Sequence, residues 1–283
     1  TPYGQKKINM QPDQYPPQDK VSEFARSYAA EVMRRGSGME AEDIFLGEDP
    51  YQSVGIHKPL KPCGAVFMFI HGGGWTTGYK EWNNFMAPTF TDYGVIFVTV
   101  GYRLAPVHLF PAGLEDCASA VAWIYNNISE LGGDPKRIFL GGHSAGGHFS
   151  SLLAVQKHWQ GDFNVPENVI QGCVPVSGVY RFGEGSGLSQ RPRFLGEKGS
   201  GTATLASPVL QTNSVTSPFL MAHGDNDFPH LISQAEEMEA VLHKYGSSVE
   251  RIILKDCDHL GAHLATGEAN GEWIKKVMKF MAV

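Results

Sequence analysis

A serine stands in the pattern Gly142-His143-Ser144-Ala145-Gly146, directly after the apolar run Arg137-Ile138-Phe139-Leu140-Gly141. Between a strand and a helix, Gly-x-Ser-x-Gly forms a nucleophile elbow, where the serine takes strained backbone angles and bulky neighbours would clash. Gly142, Ala145, Gly146 and Gly147 meet that demand for small side chains. A second segment, His71-Gly72-Gly73-Gly74-Trp75, follows the apolar run Ala65-Val66-Phe67-Met68-Phe69-Ile70. Its glycines let backbone N–H groups approach an oxyanion without a Cβ in the way. One segment supplies a nucleophile and the other electrostatic stabilisation, so together they describe acyl transfer.

A serine hydroxyl is a poor nucleophile until a base takes its proton, and the base needs a group to orient it. Behind an elbow of this kind the order along the chain is Ser, then Asp or Glu, then His. The run Pro218–Ala222 ends in His223-Gly224-Asp225-Asn226-Asp227, and Arg251–Leu254 ends in Lys255-Asp256-Cys257-Asp258-His259. Asp227 is therefore expected as the acid and His259 as the base, with Asp225 and His263 as the competing choices. His223 reads as a turn residue. His148, one helical turn beyond Ser144, reads as a hydrogen-bonded packing residue. The oxyanion donors are expected to be the N–H groups of Gly73, Gly74 and Ala145.

Strand-like runs near 65–70, 95–100, 137–141, 169–176, 218–223 and 249–254 alternate with helical stretches near 81–92, 113–129, 145–158, 230–245 and 271–281. This alternation predicts an α/β fold with a mostly parallel central sheet and helices on both faces. Ligands bind such sheets at the carboxyl ends of strands, where each motif above falls. Residues 1–17 are rich in Pro, Gln and Tyr and read as irregular. A helix is predicted over 19–35, capped by Asp19, with Val21, Phe24, Ala25, Tyr28, Val32 and Met33 on one face. Residues 43–57 read as two short strands with a turn near Gly47–Pro50. The expected organisation is an N-terminal segment and cap helix over 1–42 and a catalytic domain over 43–283. The Gly- and Ser-rich stretch Gly183–Ala206 is expected as an insertion that completes the small cap over the site.

With these motifs in place the chain resembles the α/β-hydrolases of the hormone-sensitive-lipase-like esterase group. The resemblance rests on His71–Trp75, on Tyr102-Arg103-Leu104-Ala105-Pro106 with Phe110-Pro111 and Asp116, on the elbow, and on Asp227 and His259. It covers nearly the whole chain from about residue 43 and implies a structural role for Asp116. Many members carry Asp at the second elbow position, where this chain has His143. Gly142-His143-Ser144-Ala145-Gly146-Gly147-His148, Trp75 and Ser177-Gly178-Val179-Tyr180 are similar instead to arylformamidases (kynurenine formamidases). The implied activity is serine hydrolysis of small aryl or short-acyl carboxylic esters through an acyl-enzyme. Hydrolysis of aryl formamides, amides or carbamates is the alternative, and a non-catalytic small-molecule receptor on the same fold is the alternative of another class. Trp75, Trp82, Tyr180 and Phe182, with Phe85 and the 19–35 helix, are candidates to line the substrate pocket.

Composition narrows the remaining classes. A net charge of −6 with no Lys/Arg block leaves no electrostatic footprint for nucleic acid or an anionic membrane. No apolar stretch approaches the ~20 residues of a membrane span. The cysteines Cys63, Cys117, Cys173 and Cys257 are scattered and show no C-x-x-C pair, which suits free thiols in a reducing, cytoplasmic compartment. The sequence starts at Thr1 rather than Met, so secretion after trimming stays open. No cofactor or metal is expected, the partner is a small ester or amide substrate, and a homodimer is compatible with the sequence.

Overall fold

Along the segment Val66–Ile70, residues of alternate parity enter two different cores. Val66, Met68 and Ile70 pack into one, and Phe67 and Phe69 into the other. The same alternation holds for Ile96, Val98 and Val100 against Phe97, and for Phe219 and Met221 against Leu220 and Ala222. A strand exposes its side chains with a period of two, so runs that are apolar throughout must be covered on both faces.

The computed structural model describes residues 6–8, 10–188 and 192–283. Its strands are β1 (Lys6–Ile8), β2 (Glu42–Phe45), β3 (Ser53–His57), β4 (Val66–Ile70), β5 (Ile96–Val100), β6 (Ile138–His143), β7 (Gly172–Val176), β8 (Phe219–Gly224) and β9 (Val249–Leu254). They form one nine-stranded sheet in the order β1-β2-β3-β5-β4-β6-β7-β8-β9. From β5 to β9 neighbours run parallel, whereas β1, β2 and β3 form an antiparallel edge on β5.

The longer helices are α1 (Arg26–Arg35), α2 (Ala112–Asn127), α3 (Ala145–Val155), α4 (Pro229–Lys244) and α5 (Glu272–Met281). Helices α2, α3 and α4 cover one face through residues such as Val121, Phe149 and Met238. Helices α1 and α5 cover the other through Tyr28, Val32, Trp273 and Val277. This is the mostly parallel sheet covered on both faces that the alternation predicts, and it agrees with the α/β-hydrolase plan that the resemblance implies.

Local departures have physical causes. The helix expected from Asp19 begins only at Arg26, after a 3-10 turn over Glu23–Ala25. Asp19 caps nothing and instead pairs with Arg193. The helix expected over 81–92 is a 3-10 segment Lys80–Met86 followed by the short helix Ala87–Thr91. Pro88 sits at its start, where it forfeits no helical hydrogen bond but prevents one continuous helix. The strand expected over 169–176 begins only at Gly172.

The N-terminal residues are built into the sheet rather than set apart at residue 42, since Lys6–Ile8 pair with Ile44–Glu42. A buried polar cluster fixes the stretch that follows. The Met10 N–H donates to Asp43 Oδ2 at 2.7 Å. Lys80 Nζ donates to Tyr15 Oη and Glu81 Oε1, both at 2.7 Å, and lies 3.4 Å from Asp43 Oδ1. The Tyr15 hydroxyl donates to Glu81 at 2.7 Å. Burial, then the Glu81 charge, pushes the Tyr15 phenol well above its usual range, so it stays protonated. Lys80→Met would leave two buried carboxylates without their cation. It is expected to lower the unfolding free energy by about 3–5 kcal/mol, measured by urea denaturation.

Candidate active site

Strand β6 leads into the candidate nucleophile. Ser144 follows its last residue with φ 55° and ψ −113°, and Ala145 opens α3. This strained turn lifts the side chain out of the strand while the chain reverses into the helix. The turn also presses α3 onto β4. A Cβ on Gly146 would lie 1.9 Å from the Ile70 carbonyl oxygen, so glycine is required there.

The loops after β8 and β9 bring the other two residues. His259 Nε2 lies 2.8 Å from Ser144 Oγ, and His259 Nδ1 lies 2.9 Å from Asp227 Oδ1. A carboxylate only accepts, so His259 donates from Nδ1 and its Nε2 is free to accept the serine proton. Asp227 also accepts the Phe228 N–H at 2.7 Å. Burial works to raise the Asp227 carboxyl, but the hydrogen bond and charge of His259, with the Phe228 N–H, outweigh it. The group is held below its ordinary value.

The competing residues fall elsewhere. Asp225 accepts the N–H groups of Asp256 and Cys257 at 3.1 and 3.3 Å, which ties the loop carrying His259 to the end of β8. His263 lies in the short helix Gly261–Ala265, bonded to Tyr28. His148 donates from Nε2 to the Ala206 carbonyl at 2.6 Å and accepts the Trp75 indole N–H at 3.0 Å. His223 bonds the Gly224 carbonyl and Arg251.

The glycine loop after β4 faces the serine. Gly73 has φ 123°, and its carbonyl accepts Thr77 N–H at 3.0 Å and Thr77 Oγ1 at 2.8 Å, closing a tight turn. Gly73 and Gly74 line the same cleft as Ser144 and His259. Among the described residues no acceptor takes the N–H of Gly73, Gly74 or Ala145. Asp116 is buried and holds Arg103 through its guanidinium and its backbone N–H, away from the cleft.

The cleft has a volume of ≈ 330 Å³ and aromatic and aliphatic walls, from Phe24 and Tyr28 on one side to Trp82, Phe228 and Leu260 on the others. Of the pocket candidates, Trp82 is in the wall; Trp75, Tyr180, Phe182 and Phe85 are not, and this corrects the expectation. Trp75 turns away to stack on Phe194 at 4.5 Å. Tyr180 is buried, with its N–H on Gln234. Phe182 borders a larger cavity of ≈ 570 Å³ with Leu188, Leu195 and Ala203, which holds none of Ser144, Asp227 or His259. The described part of Gly183–Ala206 therefore lies off the cleft, and the cap over it comes from residues 20–28. Lys20, Phe228 and Leu260 were not singled out from sequence, though Phe228 and Leu260 adjoin Asp227 and His259 and adjacency was a usable signal.

Among the described residues no three His, Cys, Asp or Glu side chains group as a metal would need, and no helix is long and apolar enough to cross a membrane. The four cysteines are free thiols, with Cys117 and Cys173 buried.

Several proteins that this chain is similar to are named as esterases. A Mycobacterium tuberculosis protein named as a probable carboxylic ester hydrolase, LipM, is 35% identical over 62% of this chain and 44% of its own length. Esterase LipC of the same organism is 28% identical over 84% of this chain and 64% of its own. The chain thus spans about half the length of the curated relatives it matches. A solved esterase of Pyrobaculum calidifontis superposes with a TM-score of 0.76 over 95% of this chain and 94% of that one, at 20% identity, a likeness of fold. The BD-FAE family model matches residues 55–242, most of the sheet and the elbow within it, and the chain belongs to that family of α/β-hydrolase fold.

Proposed function

We propose that the protein is a serine carboxylesterase for small aryl or short-acyl esters. The observation that carries this reading is the chain of hydrogen bonds Ser144–His259–Asp227 opening on a cleft lined by Gly73 and Gly74. Ser144 Oγ attacks the ester carbonyl while His259 Nε2 takes its proton. The N–H groups of Gly73, Gly74 and Ala145 receive the oxyanion. His259 returns the proton to the leaving alcohol, and Asp227 holds the imidazole and stabilises its charged form. Water activated by the same base then resolves the acyl-enzyme. Ester hydrolysis is also the activity in the names of LipM and LipC.

A panel of p-nitrophenyl esters of rising acyl length, beside N-formylkynurenine and aryl carbamates, tests the reading by kcat/KM. Short-acyl and aryl esters are expected to lead, and rates to fall once the acyl chain outgrows the cleft. A formamide or carbamate preferred over every ester would reassign the substrate class.

Phe24 is half exposed and packs on Phe228 at the rim, 5.6 Å between ring centroids. An aromatic contact contributes about 0.5–1.5 kcal/mol beyond burial. Phe24→Ala is expected to raise KM for aryl esters by roughly 2- to 10-fold, with the rate of labelling by a small fluorophosphonate unchanged. Uniform kcat/KM across the panel, with only the melting temperature lowered, would make this segment a mere cover. Deleting residues 1–35 would be a poorer test, because it also strips Met10 and Tyr15 from Asp43, Lys80 and Glu81.

A further inference from the structure

Trp75 sits where a tryptophan is hard to hold. It closes a run of three glycines, and its φ of 63° lies in the left-handed region, after Gly73 at 123° and Gly74 at 62°. A bulky residue stays in that region only where its surroundings fix it. Here a ring stack and hydrogen bonds do so. The indole stacks on Phe194, with centroids 4.5 Å apart and planes at 9°. The Trp75 carbonyl accepts the Ala105 N–H at 2.8 Å. The indole N–H donates to His148 Nδ1 at 3.0 Å.

His148 can accept there because of what its other nitrogen does. Its Nε2–H donates to the Ala206 carbonyl at 2.6 Å, and a carbonyl only accepts. The neutral ring therefore carries its proton on Nε2 and its lone pair on Nδ1, toward the indole. Burial pushes the imidazole down to about 3, against the pull of the Ala206 carbonyl, so the ring is neutral across the range where a serine hydrolase works.

The place of His148 in the chain matters as much as its chemistry. Residues four apart on a helix share a face. His148 lies one turn beyond Ser144, and its N–H donates to the Ser144 carbonyl at 2.9 Å. The turn that opens α3 thus has the nucleophile at one end and the acceptor for Trp75 at the other. Trp75 is bonded to Gly74, so the serine and the glycine loop are set from the same turn of helix. Neither His148 nor Trp75 lines the cleft.

We propose that His148 is a positioning residue, which holds the glycine loop through Trp75 so that the N–H groups of Gly73 and Gly74 face the carbonyl attacked by Ser144. The proposal rests on the esterase reading above. Oxyanion donors act only over a narrow range of distance, and a run of glycines has little stiffness of its own. A displacement of about 1 Å can cost about 10²-fold in rate.

The test uses a short-acyl p-nitrophenyl ester and separates kcat from KM. Trp75→Phe keeps a ring against Phe194 and removes the indole N–H. His148→Leu removes its acceptor. Each should lower kcat by roughly 10- to 10²-fold with KM within about twofold. The double variant should be little slower than either single one, because both remove the same bond. His148→Asn, whose Oδ1 can take the place of Nδ1, should recover most of the loss. Additive losses, an effect on KM alone, or a lowered melting temperature with unchanged kcat overturn the positioning role. The histidine ¹⁵N spectrum of the native protein is a check that needs no variant. His148 should be neutral and protonated on Nε2, and a proton on Nδ1 overturns the proposal. Fluorophosphonate labelling and ester turnover by the native protein test the esterase reading separately. If both fail, that reading falls and the positioning role with it. If both succeed while the variants keep their kcat, the positioning role alone falls.

Discussion

Ser144→Ala is expected to lower kcat by up to about 10⁶-fold, the loss seen when the nucleophile of a well-studied serine protease is removed. The fold should persist. Alanine is as small as serine at the elbow, and the Ser144 bonds that hold the turn are backbone ones, from its N–H to Val176 and from the His148 N–H to its carbonyl. Circular dichroism and melting temperature should match the native protein. A fluorophosphonate should label the native protein and not the variant. Labelling that persists in Ser144→Ala would mean that another residue is the nucleophile.

Asp227→Asn should be the next most damaging change, near 10⁴-fold in kcat, because an amide can hold the imidazole in the wrong tautomer. Asp225→Asn should be milder, since Asp225 bonds the Asp256 and Cys257 N–H groups rather than His259, and an amide oxygen can still accept one of them. If Asp225→Asn proves the more damaging in folded protein, the assignment of the acid is wrong. The pH dependence gives an independent reading. Asp227 is depressed below its ordinary value of 3.8 in the folded state. Its contribution to stability is therefore complete above the unfolded value and is lost as pH falls through the lower folded value. The native protein should lose stability more steeply than Asp227→Asn over that acidic window, by denaturant titration at successive pH values.

The central strands were legible because β4, β5, β6 and β8 are short runs, largely apolar on both faces, of the length that a sheet covered on both sides buries. The elbow was legible because sterics demand its small residues. The cleft walls were not. Trp75 follows three glycines, and no periodicity says which way a side chain in such a loop will turn; it turned to Phe194 and His148. The strand β1 was missed because its three residues lie within a stretch whose composition reads as irregular. The start of α1 was misplaced because Asp19 looks like a cap, while its carboxylate is taken by Arg193, a partner 174 residues away. Lys80 and Glu81 are buried, and Lys80 pairs with both Glu81 and the distant Asp43, which no local pattern announces. Sequence patterns carry burial well and long-range pairing poorly.

The clamp on Trp75 has a consequence for anyone who would re-engineer this scaffold. Phe194 lies flat against the indole ring, and the Ala206 carbonyl anchors the histidine that accepts its N–H. The glycine loop is therefore braced from outside the cleft by a segment whose described residues do not line it. A loop graft across 183–206 chosen only for surface fit would loosen the brace. The transplant would look like a change of specificity and behave as a loss of catalytic alignment, unless an aromatic ring at 194 and the carbonyl at 206 travelled with it.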